Sequence, residues 1–403
     1  MHVTRAHDPA VRGQLAIAAL FCALGFQYAT WAARIPALKT DLGLTAGEVG
    51  VLLMAAGVGA SVSFPLVAVL MRRLGSQRLA LLSLLGLTVL LLALAAAPNY
   101  PVALLVLCAD GVFVGCLNTA MNAQGAALEE TYGRNAMARL HATFSGGSLL
   151  AAAVASAMTA ATPSVTAHFA VAAVLLLVLG AAARTGLLPE PGAGTSAPGK
   201  EEARKEKRRT GWSLPGRMTV WMCCAMAFGT VTEGAMNDWS SLYMKDVAHA
   251  SAQLAPMGIA VVSGMMVVAR LFADRWRARW GDRRVVLLGS ALAGAGLVFA
   301  LAVGGVVPAL LGFACVGLGI AAVTPCVYVA AAKQGSDSLT VVAAMGTTGL
   351  LAGPPFIGFV AQQSSLVWGM GVVAASAFLV ALCATRIPWQ PAPRRLPAEA
   401  DAS

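Results

Sequence analysis

The sequence predicts an all-α integral membrane protein with twelve spanning helices in two pseudo-symmetric six-helix bundles, both chain ends lying on the cytoplasmic side. Three observations carry this. Apolar runs of about twenty residues recur along the whole chain, and a run of that length crosses the roughly 30 Å hydrocarbon core as a helix. The 403 residues are 58% hydrophobic and only 11% charged, with mean hydropathy +0.74; ordinary soluble domains carry about 25% charged residues. Of the 28 Lys and Arg residues, all but Arg34, Lys39 and Lys245 fall on one side of the predicted topology, the bias that marks cytoplasmic loops. The net charge of +10 would suggest nucleic acid in a soluble protein. Here it sits in short loops and reports topology, so no nucleic-acid partner is expected.

In chain order, spans are predicted at about 14–38, 46–71, 78–97, 102–128, 136–160, 165–188, 216–244, 253–273, 284–303, 307–331, 340–362 and 366–386. The first is a spanning helix rather than a cleaved signal, because no small-residue cleavage site precedes Arg34. Breaker-rich connections separate later spans: Pro98-Asn99-Tyr100-Pro101, Thr162-Pro163-Ser164 and Gly335-Ser336-Asp337. The expected organisation is an N-terminal bundle (1–189), a linker loop (190–214), a C-terminal bundle (215–390) and a tail (391–403). Pro and Gly open the linker and a mixed-charge run follows. It is either a solvated tether or a short helix lying on anionic lipid. The eight cysteines are scattered through apolar runs without a C-x-x-C pair. They read as packing thiols, neither disulfides nor metal ligands.

The halves look like repeats. Gly75, in RRLGSQR, and Gly281, in RARWGDRR, occupy basic turns after the second helix of each half. Parallel repeats about an axis along the membrane normal are one transporter architecture. Two degraded copies of a G-x-L-x-D-R-x-G-R signature sit at these turns. The first, MRRLG, has Arg72 where the acid belongs. The second reads Arg270-Leu271-Phe272-Ala273-Asp274-Arg275, then Gly281. On these residues the chain resembles the major facilitator superfamily over essentially its whole length. Further strings resemble its fucose-permease-like branch and related bacterial inner-membrane proteins of unassigned substrate. They are Trp31 to Pro36, CLNTAMNAQGAALEE (116–130), HATFSGG (141–147), EGAMNDWSSLY (233–243) and GLLAGPPFIG (349–358).

The resemblance implies a central cavity lined by spans 1, 4, 7 and 10, where intramembrane polar groups are functional candidates. On span 1, Gln27, Trp31 and Arg34 share one helical face. Arg34 either binds substrate or snorkels to the interface. On span 4, Gly111, Gly115, Asn118, Asn122, Gly125 and Glu129 form a stripe within about 40°. Asn118 and Asn122 either bind substrate or bridge to a neighbouring helix; the glycines equally mark close helix packing. Asn118 stands where sugar permeases of the branch tend to carry an acid, so no proton carrier transfers to that position. Glu129 is expected to pair with Arg134, Arg139 or His141. Asp110 lies off the stripe. Burial in hydrocarbon favours a neutral carboxyl, which suits a proton carrier; the alternative is a structural hydrogen bond.

On span 7, Glu233 is the first choice for proton coupling or substrate recognition. Asp238 points about 140° away on a regular helix, so both acids face the cavity only if the helix breaks near Gly234. On span 10, Thr324 and Tyr328 flank Pro325, which permits a bend. Arg270 and Asp274, an i,i+4 pair, are the candidate cytoplasmic latch that the signature implies.

The resemblance implies a secondary transporter of the plasma membrane, rocking two bundles about a central site. Proton-coupled symport of a small polar solute such as a sugar leads. Span 5 lacks the glycine/proline signature of drug antiporters, which weakens the alternative of proton-driven efflux of hydrophobic compounds. A transporter-like sensor is a minor alternative. No nucleophile triad, nucleotide loop or metal cluster is visible, so neither an enzyme nor a cofactor or metal is expected. The expected partners are a small-molecule substrate, protons and the lipid bilayer, with a monomer as the working unit.

Overall fold

The structure is a computed structural model that describes residues 8–132, 136–189, 216–387 and 389. The linker 190–214, the tail 391–403 and Arg134 lie outside the described residues. The helices are α1 (Pro9–Ala32), α2 (Ile35–Asp41), α3 (Ala46–Ala95), α4 (Tyr100–Tyr132), α5 (Met137–Ala161), α6 (Val165–Arg184), α7 (Arg217–Asp246), α8 (Met257–Trp280), α9 (Asp282–Val303), α10 (Val306–Ile320), α11 (Val323–Ala332), α12 (Ser336–Gln363) and α13 (Leu366–Arg386). Among the described residues ten helices are long and apolar enough to cross a membrane, with Val306–Ala332 counted as one. The ten do not include α7, which carries more polar residues than the others. Large apolar side chains such as Phe64, Leu105, Leu177 and Phe359 stand exposed on the helices, as a lipid-facing surface requires.

The long α3 is two helices in series. At Gly75 the backbone takes φ 77° and ψ 165°, a region essentially closed to residues with a Cβ. Gly281 takes φ 79° and ψ 156° between α8 and α9. The two turns singled out in the sequence thus share one glycine-dependent conformation.

Two predicted spans are interrupted. The first, predicted as continuous over 14–38, ends at Ala32, and Arg34 opens the separate α2. The common face expected for Gln27, Trp31 and Arg34 therefore stops at Trp31. Span 10 breaks at Ala321 and Ala322, between α10 and α11. Pro325 explains the position: its ring crowds the carbonyl four residues back and offers it no N–H. The break near Gly234 that would let Glu233 and Asp238 share a face does not form: α7 runs unbroken from Arg217 to Asp246.

Within the N-terminal half, backbones approach through small residues, as membrane helices do in place of hydrophobic collapse. A Cβ on Gly25 of α1 would lie 2.0 Å from the Phe144 carbonyl oxygen of α5. One on Gly147 of α5 would lie 2.1 Å from that of Cys22. Gly111 of α4 meets the Ala56 carbonyl of α3 in the same way, at 1.8 Å, and Gly115 meets Ser63. At Gly111 and Gly115 the α4 stripe is therefore a packing seam against α3, whereas Gly125 packs on Met137 and Leu140 of α5.

The halves meet at the end that carries the connections 42–45, 162–164 and 247–256, called the closed end below. There Lys39 pairs with Asp246 at 2.6 Å, and Ser156 donates to the Gln253 carbonyl at 2.6 Å. Gly50 of α3 packs on Pro354 and Gly358 of α12. Deeper contacts between halves run from Leu149 to Gly264 and from Ser145 to Arg270. The turns at Gly75 and Gly281 mark the opposite, basic end.

Candidate functional site

Three polar assemblies sit at the level where α1, α4, α5, α7 and α8 come together. The first joins α1 to α4. Gln27 and Asp110 are both essentially sealed from solvent, at 0% and 2% exposure. Gln27 Nε2 donates to Asp110 Oδ1 at 2.7 Å. Gln27 Oε1 and Asp110 Oδ2 are buried without a partner. Two unfilled acceptors within one amide–carboxyl pair are what a proton on the carboxyl would satisfy, since a protonated carboxyl gains a donor.

The second assembly crosses between halves. The Tyr28 hydroxyl, one residue beyond Gln27, donates to Oδ1 of Asp238 on α7. Asp238 is 4% exposed. Sequence spacing turns Asp238 about 140° from Glu233 and gives no sign of Tyr28 as its partner. Both face inward because residues 27 and 28 differ by about 100° around α1, so one turn of that helix reaches α4 on one side and α7 on the other.

The third assembly is Glu233 of α7, Arg270 of α8 and Ser145 of α5. Arg270 Nη2 donates to Glu233 Oε1 at 3.1 Å, and Nη1 donates to the Ser145 hydroxyl. Both charged side chains keep partial exposure, 21% for Arg270 and 26% for Glu233. Each lies near the midpoint of its helix. Arg270 therefore reaches across to a carboxylate on its own half and a hydroxyl on the other. Asp274, its expected i,i+4 partner, is 88% exposed and approaches only Arg277, at 3.7 Å. A cross-helix carboxylate in a low-dielectric interior outcompetes an exposed one, and local spacing does not reveal it.

The remaining candidates separate by accessibility. Asn118 is exposed and Asn122 half-buried. Asn122 Nδ2 donates to the backbone oxygen of Asn118 at 2.7 Å and to its Oδ1 at 3.0 Å. Thr324 and Tyr328 are half-buried on α11. Trp31, by contrast, is 2% exposed and meets Tyr28 edge to face. Arg34, 4% exposed, turns to α6 and donates from Nε to His168 Nδ1 at 3.0 Å. Among the described residues Glu129 pairs with no cation, neither Arg139 nor His141. Its Oε1 accepts from the backbone N–H groups of Ala136 and Met137, at 2.6 and 2.9 Å, because orphan donors at a helix start attract a carboxylate as strongly as a side-chain charge does.

The sequence profile of the Major Facilitator Superfamily matches residues 15–338. An uncharacterized MFS-type transporter of Yersinia pestis is 31% identical over 390 residues, covering 95% of this chain and 98% of that one. The membrane protein MosC of Rhizobium meliloti is 30% identical over 373 residues, covering 90% and 88%. Among solved structures, a D-xylose-proton symporter superposes with TM-score 0.75 at 14% identity, over 94% of this chain and 98% of that one. The nucleoside transporter NupG does so with TM-score 0.68 at 16% identity, over 94% and 98%. At such identities these structures speak to the fold alone. Profile, full-length relatives and fold agree: the chain belongs to the major facilitator superfamily of multi-pass membrane transporters.

Proposed function

We propose that this protein is a proton-coupled symporter of a small polar solute, working by alternating access across the plasma membrane. The observation that carries the reading is the Ser145–Arg270–Glu233 bridge. A guanidinium held by one half's carboxylate is the group that reaches the other half. A proton on Glu233 would remove the charge that holds Arg270 in place, loosening its reach to Ser145 and leaving a cation in need of a new partner. Proton occupancy at Glu233 would thereby bias how the two halves sit. Asp110, with its unfilled oxygen, is the second proton site. Asn118, Asn122, Thr324 and Tyr328 would contact the solute. Gln27, Trp31 and Arg34 would support the site from behind in this state. Arg270 would act as the gate, with Asp274 left to the basic turn.

The twelve-span topology belongs to this proposal. It follows from dividing α3 at Gly75, counting α7 as a span and counting α10 with α11 as one. With the basic end cytoplasmic, contacts gathered at the closed end correspond to an inward-open state. The missing glycine/proline signature on span 5 and the polar groups Asn118, Asn122, Thr324 and Tyr328, none of them fully buried, support a polar solute over a drug.

The test is charge movement in proteoliposomes on a solid support, challenged with sugars, polyols, nucleosides and cationic drugs. Proton symport gives an inward current with a neutral solute, and Glu233→Gln loses it while the purified protein stays monodisperse. A full-sized current in Glu233→Gln removes Glu233 from the coupling. Drug-driven proton movement without any solute current replaces symport by efflux.

A further inference from the structure

We propose that the outer face of α8 at the basic end is a binding site for an anionic phospholipid, its acyl chain lying along Phe272, Trp276 and Trp280 and its phosphate held by Arg275 and Arg279. The three aromatic residues recur at every fourth position and stack. Phe272 and Trp276 have ring centroids 5.9 Å apart and planes 23° apart; Trp276 and Trp280 follow at 6.3 Å and 15°. They make one continuous apolar strip about 12 Å long, by the rise of the helix, with Phe272 and Trp280 exposed at 45% and 47%. Arg275 and Arg279 run beside it, both exposed, and exposed Arg283 and Arg284 follow just past the Gly281 turn. Phe272, Arg275 and Arg279 stand about 140–180° around α8 from Arg270, so this face looks away from the bridge to Glu233 and Ser145.

The cations here have no acid of their own. Both carboxylates of the turn go to Arg277. Asp282 accepts from its Nε at 2.8 Å and from its Nη2 at 3.3 Å, and Asp274 approaches its Nη1 at 3.7 Å. Among the described residues no carboxylate pairs with Arg275, Arg279, Arg283 or Arg284. The phosphodiester of an anionic lipid supplies the missing charge, and it comes on an acyl chain that the aromatic strip can cover. A basic turn alone is enough to set topology, and the other half shows it. At Gly75 the matching turn has Arg72, Arg73 and Arg78, yet no aromatic residue occurs between Phe64 and Tyr100. The two turns share a backbone conformation and differ in the strip, which therefore answers to something besides orientation. Indole rings suit headgroup depth, with an apolar body and one polar edge.

The experiment uses the full chain in nanodiscs of equal phosphatidylglycerol and phosphatidylcholine. Bromine on the acyl chains of one lipid or the other quenches nearby tryptophan fluorescence. The site predicts stronger quenching when phosphatidylglycerol carries the bromine. The excess should vanish in Trp276→Phe with Trp280→Phe, which removes the reporters. It should vanish too in Arg275→Gln with Arg279→Gln, which keeps the reporters but lowers the local preference for the anionic lipid roughly 30-fold. Arg72→Gln with Arg73→Gln, at the turn without the strip, should leave the excess intact. Equal quenching by the two brominated lipids in the unsubstituted protein overturns the site, and that result needs no variant to fold. An excess that survives Arg275→Gln with Arg279→Gln overturns it as well. So does one that Arg72→Gln with Arg73→Gln reduces as much, because general attraction to the basic end would then be the whole effect.

Discussion

Tyr28→Phe should shift the protein toward opening of the closed end. The substitution removes one oxygen and leaves the ring that packs on Trp31. Asp238, 4% exposed, then loses the donor that Tyr28 supplies. An acceptor left buried and unfilled costs about 1–3 kcal/mol. Opening relieves that cost by admitting water, so the ratio of open to closed forms should rise roughly five- to 150-fold. The assay is pulsed electron–electron distance measurement in nanodiscs, with spin labels at Ala96 and Gln363. Both residues are exposed, lie at the closed end on opposite halves, and would be labelled in a background whose native cysteines are replaced. The longer distance should gain population in Tyr28→Phe. Acidification should move the unsubstituted protein the same way, because a charge-assisted hydrogen bond weakens when the carboxylate is neutralised. Tyr28→Phe should lose that part of the pH response. A distance distribution identical to the parent's in a folded variant refutes the reasoning: the Tyr28–Asp238 bond would then contribute nothing to closure.

Other expectations are quickly stated. Lys39→Gln breaks an ion pair whose side chains are 28% and 37% exposed; such pairs contribute about 0–1 kcal/mol, so the same distance ratio should change less than about fivefold, and even that change should fade in high salt. Gly25→Ala sets a methyl 2.0 Å from the Phe144 carbonyl; parting α1 from α5 should cost at least about 1–3 kcal/mol, read as a lower thermal midpoint. Gly75→Ala and Gly281→Ala should each cost on the order of 1–3 kcal/mol and by similar amounts, since their φ,ψ values nearly coincide. A large asymmetry between them, measured by thermal unfolding, would show that the two turns are not equivalent.

What could be read in the sequence followed from periodicity and from special residues. Apolar run length located the helices, and Gly75 and Gly281 stood out because a basic turn with a glycine needs a backbone that other residues resist. Pro325 marked the interruption of its helix. Gln27, Asp110 and Glu233 were found because polar groups are costly in hydrocarbon wherever they point. The partners were not legible. Arg270 and Asp274 satisfy every local rule for a pair, yet Arg270 turns to Glu233, 37 positions away. Arg34 looked like a cavity residue until the chain broke at Ala33 and swung it toward His168. Glu129 went to backbone donors that carry no sequence signature. In each case the outcome was set by which helices lie side by side, and that is a property of packing rather than of local spacing.

One turn of α1 carries two obligations. Gln27 ties it to Asp110 inside its own half, and Tyr28 ties it to Asp238 across the divide. The two side chains leave the helix about 100° apart, so no rotation of α1 serves both bonds equally, and any adjustment at one is felt at the other. Thermodynamic linkage makes such an arrangement symmetrical. Whatever a proton arriving at Asp110 does to the strength of the Tyr28 contact, breaking that contact must do, by the same factor, to the hold of Asp110 on its proton. A single helical turn can in this way act as the arm of a balance, with a proton in one pan and the separation of the bundles in the other.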